Sequence, residues 1–545
     1  MYLVDDWLIF SFLLYLHNKL PPTMPNIVYP IGIQSFSKLR NGNCYYVDKT
    51  ALVHELVTTG YYYFLSRPRR FGKSLLISTL HEYFIGNRAI FKGLAIDKLE
   101  PGEWPCHPVL HIDFNGRNYV KYPEILTRHL HTTLLKWADE LEIQINRELT
   151  PDEMFSELIE RVVEKTGRQV VVLIDEYDKP ILDVLGDRDL EENNREVLRS
   201  FYSVMKSQDA NLRFVMLTGV GKLPQMNVFS GLNNIEDISM NPIYSTICGV
   251  TEPELREYFG KGVADLAEAN GLTVAETYEA LKANYDGYHF AGDMRDVYNP
   301  YSLLTALKNR MITDSWYRTG TPTHLIKMLK RTDVPIKNLD GAPCTFTRLN
   351  EGNVTGDDII ATLYYTGYLT IKQYNRAMNS VILGYPNGEV RRGFLDNVLA
   401  LSTNVNAGES STLVLELAMT VQSGDIAGYL EKLRSFFADF PYELIKRNEA
   451  HYQDVIYCIT KLLGFYVQAE YRTSSGRADM ILGTKEAVYV FEFKLDAGAD
   501  AAMSQIDAKE YALPFAADGR RVVKVAVSFS SETRNIADWK VVSDE

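Results

Sequence analysis

Residues Arg67-Pro68-Arg69-Arg70-Phe71-Gly72-Lys73-Ser74 constrain this chain more than any other stretch. They lie between an apolar, aromatic run at 61–65 that reads as a buried strand and a run at 75–80 that reads as the opening of a helix. Strand, tight loop, Gly-Lys-Ser and helix are the order that a nucleotide phosphate site requires. Backbone N–H groups at a helix N-terminus face the phosphates, and the helix dipole favours negative charge there. In that arrangement Arg69, Arg70, Phe71, Gly72, Lys73, Ser74 and Leu75 surround the phosphates of ATP. Lys73 reaches the β- and γ-phosphates, and the Ser74 hydroxyl binds Mg²⁺. One position departs from the usual pattern. Arg67 stands where the first glycine is expected, so the loop must reach its shape without that residue's conformational freedom.

About 100 residues further on, Gln169-Val170-Val171-Val172-Leu173-Ile174 is a continuous apolar run that ends in Asp175-Glu176. A run without alternation suits a parallel strand buried on both faces. Carboxylates at the carboxyl end of such a strand sit where α/β sheets bind ligands. Asp175 is expected to hold Mg²⁺ together with Ser74, and Glu176 to orient or deprotonate the attacking water. A third apolar run at 212–217 ends in Thr218-Gly219. Thr218 has two readings, a sensor of the γ-phosphate or a strand-end threonine bonded to local backbone. The fold class that follows is α/β, a parallel P-loop NTPase sheet with helices on both faces.

These residues carry a family resemblance. Tyr29-Pro30-Ile31-Gly32, Phe36, Tyr46-Val47-Asp48-Lys49-Thr50, the Arg67–Ser74 loop and Leu173-Ile174-Asp175-Glu176-Tyr177-Asp178-Lys179-Pro180 resemble the bacterial AAA-ATPase-like family. So do Phe229-Ser230-Gly231-Leu232-Asn233-Asn234, Tyr285-Asp286-Gly287-Tyr288 and Val297-Tyr298-Asn299-Pro300. Within that family the Arg-Pro-Arg-Arg-Phe opening is ordinary. The resemblance implies an ATP-binding P-loop domain and, at the end of the chain, a PD-(D/E)XK nuclease-like domain of restriction-endonuclease-like α/β fold.

The C-terminal residues fit that implication. Ala487-Val488-Tyr489-Val490-Phe491-Glu492-Phe493-Lys494 reads as a strand on which Glu492 and Lys494 share one face. A second short strand just before it carries Asp479. Two carboxylates and a lysine are the equipment of metal-dependent phosphodiester hydrolysis, and oxygen ligands suit Mg²⁺. Asp479, Glu492 and Lys494 are therefore the candidate catalytic residues, alongside Glu176. Glu449, on a helix-like stretch, resembles the family's first-helix acid and joins Asp479 and Glu492 as a candidate metal ligand. Gln505 is placed where the last helix reaches over the site. A bland alternative is that Glu-x-Lys on a strand is a solvated cross-strand charge pair.

Composition bounds the partners. At 545 residues the chain has room for about three or four domains. The expected division is an extension at 1–25, the P-loop domain at 26–250, a helical or winged-helix-like lid at 251–403, and the nuclease-like domain at 404–545. A formal charge of −13 argues against a protein permanently coated with nucleic acid. Residues 401–545 hold 15 Lys and Arg against 21 Asp and Glu, so any groove for DNA or RNA is local, or supplied by another domain or by another subunit of an oligomer. Five scattered cysteines without Cys-x-x-Cys spacing suggest reduced thiols in a cytoplasmic protein, not a zinc ribbon. An apolar run at 7–16 is too short to span a bilayer and follows Asp5-Asp6, so no membrane insertion is expected. The extension reads as a start-site artefact ahead of Met24, with a short docking helix as the alternative. Tyr285–Phe290 is aromatic enough for base stacking, but a turn packed on the ATPase core is the favoured reading. Two function classes follow: a nucleotide-switched nuclease, or an ATP-switched binding module whose nuclease-like domain does not cleave.

Overall fold

In the computed structural model, the described residues are 27–221, 234–316, 336–351, 358–403, 416–438, 448–463 and 465–543. The N-terminal extension and the Phe229–Asn233 part of the family pattern lie outside them. The first sheet has five parallel strands, β1 (Tyr62–Ser66), β2 (Val109–Asp113), β3 (Val170–Asp175), β4 (Leu212–Gly219) and β5 (Glu236–Asp237), in the order β2-β3-β4-β1-β5. The unbroken apolar runs are explained by burial on both faces. Tyr63, Leu65, Val171, Leu173, Phe214 and Met216 pack on the side of helix Lys73–Phe84. Tyr62, Phe64, Val172, Ile174, Val215 and Leu217 pack on the other side, beneath helices Glu124–Glu140, Pro151–Thr166 and Arg188–Ser207. In-register pairing of Ser66 with Gly219 and of Asp113 with Asp175 brings the carboxyl ends of the strands to one edge.

Arg67 leaves that edge and turns inward. It is 1% exposed. Its Nη1 donates to the carbonyls of Ser66 and Ser239, each at 2.8 Å, and its Nη2 to that of Tyr244 at 3.0 Å. The guanidinium also lies 4.3 Å from the centroid of the Phe290 ring. The residue in the unusual position is therefore a buried clamp between β1 and the segment after β5. Arg67 thus does not line the cleft that Arg69 and Arg70 line.

The middle of the chain is mostly helical. Helices Glu252–Asn270, Val274–Tyr285 and Pro300–Asn309 share a small apolar core. The first of them starts with a capping box between Thr251 and Glu254. An antiparallel sheet, β6 (Ala342–Thr345), β7 (Thr370–Asn375) and β8 (Ser380–Gly384), is ordered β6-β8-β7. This region leans on the phosphate loop. Tyr288 and Phe290 pack edge-on against Phe71, so the aromatic turn is core and not a base-stacking surface. Gly367 has φ +86°, and a Cβ there would lie 2.7 Å from Pro68, so only glycine permits this approach. Trp316 Nε1 donates to the Arg69 carbonyl at 3.0 Å, and the Trp316 N–H donates to Glu389.

Glu389 opens helix Gly388–Thr403, which packs on helix Glu449–Leu462 of the C-terminal part. There β9 (Tyr466–Arg472), β10 (Arg477–Gly483), β11 (Ala487–Leu495), β12 (Arg521–Ser530) and β13 (Asn535–Ser543) form a mixed sheet in the order β13-β12-β11-β10-β9. Only β11 and β12 are parallel in it. Tyr489, Phe491 and Phe493 face helix Glu449–Leu462, and Val488 and Val490 face helix Ala499–Ala508. Among the described residues no helix is long and apolar enough to cross a membrane.

The clamp yields a test. Arg67→Leu strands three carbonyl oxygens, a loss of roughly 2–4 kcal/mol. Thermal unfolding should therefore move several degrees lower. Arg67→Gly, which restores the common loop glycine, should be no better. A glycine variant as stable as the wild type would contradict the clamp.

Candidate functional site

The phosphate loop has the backbone its sequence demands. Gly72 sits at φ +98° and caps helix Lys73–Phe84, and Arg70 takes φ +67°. Lys73 is 3% exposed. Its Nζ donates to the carbonyls of Arg67 at 3.0 Å and Pro68 at 3.3 Å, and lies 3.2 Å from Glu176 Oε1. Glu176, the residue after β3, is held at φ +53°. A glutamate in the left-handed region is strained, and such strain gathers at functional sites. Before the loop opens a cleft of about 570 Å³, of a size that takes a small-molecule ligand. Arg69, Arg70, Gly72, Lys73, Ser74, Leu75 and Glu176 all line it.

Two expected contacts are revised. The Phe71 ring is buried against Tyr288 and Phe290, so only its backbone is left to meet a phosphate. The Thr218 hydroxyl donates to Asp175 Oδ1 at 2.6 Å. It lies beneath the cleft and orients that carboxylate, where the sequence allowed a γ-phosphate sensor. Sequence reasoning also gave no role to Asp178. It is fully buried, and its Oδ2 accepts from the N–H groups of Val220 and Gly221. Burial first, and then the charge of Glu176, push its carboxyl up to about 7. Its place in Asp175-Glu176-Tyr177-Asp178 was the available signal. Tyr301 is a second omission. Its ring lies 4.0 Å beneath the Arg70 guanidinium at the cleft wall.

On the C-terminal sheet, the Met480–Phe491 pairing carried one residue further sets Asp479 opposite Glu492. Asp479 Oδ2 accepts the Phe493 N–H at 2.8 Å. Glu492 is 1% exposed, and its Oε1 takes Lys494 Nζ at 2.8 Å. Glu449 arrives from the first turn of its helix, where Oε2 accepts the Leu495 N–H at 3.2 Å. Burial lifts the Glu492 carboxyl to about 7, and the charge of Asp479 adds to the effect. Burial likewise raises Asp479 to about 6. Glu492 keeps Lys494 protonated, with a pKa above the ordinary lysine value despite the opposing effect of burial.

The four expected residues thus converge, but not as a cage of three carboxylates. Among the described residues no three His, Cys, Asp or Glu side chains are disposed to hold a metal ion. Each carboxylate has a partner: Leu495 and Gln453 for Glu449, Phe493 for Asp479, Lys494 for Glu492. What remains is one buried oxygen, Glu492 Oε2, with no hydrogen-bond donor. An anionic oxygen without a donor, beside a second carboxylate, fits a divalent cation that completes its shell with water and phosphate. Gln505, expected above the site, turns instead to the Tyr511 hydroxyl at 3.4 Å.

Residues 30–229 match the family described as Predicted AAA-ATPase, and residues 447–539 match the PD-(D/E)XK nuclease superfamily. An uncharacterized protein in the vnfD 5' region of Azotobacter chroococcum mcd 1 is 36% identical over 539 residues, which span 94% of this chain and 98% of the relative. Two solved structures show slight likeness. The Aeropyrum pernix ORC1 protein in complex with DNA has 13% identity and a TM-score of 0.25, over 64% of this chain and 92% of that one. The Aeropyrum pernix ORC2 protein, in ADPNP–ADP complexes, has 11% identity and a TM-score of 0.25, over 63% and 89%. Both are too distant to bear on chemistry. With the loop, the sheets and both matches in place, the chain belongs to the bacterial AAA-ATPase-like family, a P-loop ATPase-like domain joined to a PD-(D/E)XK nuclease-superfamily domain.

Proposed function

We propose that this protein binds and hydrolyses ATP in the loop cleft, and that the C-terminal centre cleaves nucleic acid with the help of Mg²⁺. The observation that carries the first half is the set of partners around Lys73. Two carbonyl oxygens and one carboxylate hold a buried ammonium at a helix N-terminus. Phosphate oxygens are of the same chemical kind and carry more charge, so they can take their place. Once Lys73 turns to phosphate, Glu176 loses its ion pair and becomes free to accept a proton from water at the cleft. Asp175, steadied by Thr218, is the carboxylate we assign to the Mg²⁺ expected at Ser74. An apolar recess that adjoins the cleft, lined by Tyr45, Leu75, Phe259 and Leu304, is suited to the purine ring.

The second half rests on Glu492 and Asp479 facing each other with Lys494 alongside. A bound Mg²⁺ would polarise the phosphodiester and lower the pKa of its water. Glu492 and Asp479 would supply its carboxylate oxygens, and Glu449 would brace the β11 end through Leu495. Lys494 would steady the charge that develops on phosphate. The acidic surface implies that nucleic acid is gripped locally and that its hold weakens with salt. Nicking of DNA and RNA with Mn²⁺ or Mg²⁺, with and without ATP, tests the whole. Cleavage that needs metal, responds to ATP and disappears in Glu492→Ala supports the proposal. ATP-dependent binding without cleavage under any metal replaces it with the binding-module reading.

Two further outcomes are expected. Lys73→Ala should weaken a non-hydrolysable ATP analogue by roughly 100-fold, as loss of a buried charge partner does. Glu176→Gln should bind the analogue and turn over slowly. Calorimetric titration that finds unchanged affinity in the lysine variant contradicts the assignment of the cleft.

The raised Glu492 carboxyl predicts a pH signature. In the unfolded chain it ionises near its ordinary 4.5, and in the fold near about 7. Stability contributed by the protonated form is complete below about pH 4.5, is lost as pH rises towards 7, and stays lost above it. Without metal, Glu492→Gln should thus melt above the wild type at about pH 8, with a gap that closes toward about pH 5. Added Mn²⁺ should raise the wild type and leave the glutamine variant unmoved. A gap independent of pH, or an equal Mn²⁺ response, would count against a metal at Glu492.

A further inference from the structure

Lys337 lies far from the C-terminal centre in sequence and outside residues 447–539, yet it is built into that centre. It is 9% exposed and belongs to the short turn Ile336–Asn338 just before β6. Its Nζ lies 2.6 Å from Glu470 Oε1 on β9 and donates to Gln453 Oε1. Its backbone N–H donates to Asp454 Oδ1 at 3.4 Å. Gln453, itself buried, then donates from Nε2 to Glu449 Oε1 at 3.1 Å. Glu449 Oε2 accepts the N–H of Leu495 at the end of β11. The chain of contacts runs from the middle region, through one amide, to the acid at the edge of the metal position.

The chemistry of this relay is directional. An ammonium has donors only, so it selects the oxygen of the Gln453 amide. The NH₂ group is then forced toward Glu449, where a donor is needed. Without the cation the amide oxygen loses its donor, and the Gln453 side chain is tied only at its Glu449 end. Helix spacing places Gln453 one turn after Glu449, so the amide reaches that carboxylate, and Lys337 fixes its other end. Glu470 neutralises the lysine and keeps the buried charge tolerable.

We infer that Lys337 is a positioning residue of the nuclease centre, supplied by the middle region, which fixes Gln453 and through it Glu449, so that the centre is complete only while the middle region is docked on the C-terminal helix. This rests on the nuclease reading above and adds the regulation of that site. It lets the middle region, which also packs on the phosphate loop, act on the C-terminal centre through Gln453 and Glu449.

The test uses the full chain and Mn²⁺ alone. Lys337→Met should weaken Mn²⁺ binding by about 10-fold, the low end of what loss of an outer-shell support costs, because it acts on β11 through Gln453 and Glu449. Gln453→Leu should do the same, and the double variant should be no worse than either, because both cut one relay. Lys337→Arg, again a pure donor, should recover much of the loss. Affinity for an ATP analogue should stay unchanged in all of them. Wild-type Mn²⁺ affinity in Lys337→Met, alongside a loss in Glu492→Ala, overturns the inference and leaves the nuclease reading standing. A Lys337→Met variant that loses nucleotide binding as much as Mn²⁺ binding shows a general scaffold role and also overturns it. A wild type that binds no Mn²⁺ overturns both.

Discussion

A lysine ammonium taken out of water must be met by oxygen, and the architecture of the first half of this protein follows from where that oxygen comes from. Lys73 is buried at the start of its helix and draws on the Arg67 and Pro68 carbonyls and on Glu176. For those carbonyls to point at Nζ, the chain after β1 must fold back on itself, which explains the left-handed turns at Arg70 and Gly72. For the fold-back to stay put without a first glycine, Arg67 is pinned to Ser239 and Tyr244 behind the sheet. The strand order then matters, because β3 delivers Asp175 and Glu176 at the same edge. Each element is intelligible as a means of holding one cation where phosphate can claim it.

The loop is also the surface on which the rest of the molecule is stacked. Pro68 fits the notch left by Gly367, Arg69 offers its carbonyl to Trp316, and Phe71 fills an aromatic pocket formed by Tyr288 and Phe290. Trp316 meets Glu389, and the helix that Glu389 opens lies on the helix whose first turn carries Glu449. A continuous apolar cluster joins these layers from the first sheet to the last. The two candidate sites are thus linked by packed, specific contacts, the physical setting in which occupancy of one can bias the other.

How far the chain can be read without coordinates depends on the range of the forces involved. The phosphate loop, the all-apolar β3 and the shared face of Glu492 and Lys494 are local patterns of period and spacing, and they are where the sequence puts them. Phe71 and Thr218 were placed correctly along the chain but given the wrong neighbour. A loop phenylalanine meets whatever packs above it, here residues more than 200 positions away. A strand-tip threonine meets the adjacent strand, which needs the strand order to be known. The three-carboxylate metal set was partly legible. Its members converge, but backbone N–H groups of β11 occupy two of them, and only the register reveals this. Lys337 was beyond reach, since nothing in a turn lysine announces a partner 116 residues on.

The most direct measurement is a crystal structure with a non-hydrolysable ATP analogue and Mn²⁺, read by anomalous scattering. The account predicts phosphate density against Lys73, with Nζ released from the Arg67 and Pro68 carbonyls and Glu176 turned to the cleft. It also predicts an anomalous peak between Asp479 and Glu492. An analogue bound elsewhere while Lys73 keeps its carbonyl partners, or Mn²⁺ absent from the two carboxylates at saturating concentration, would contradict it.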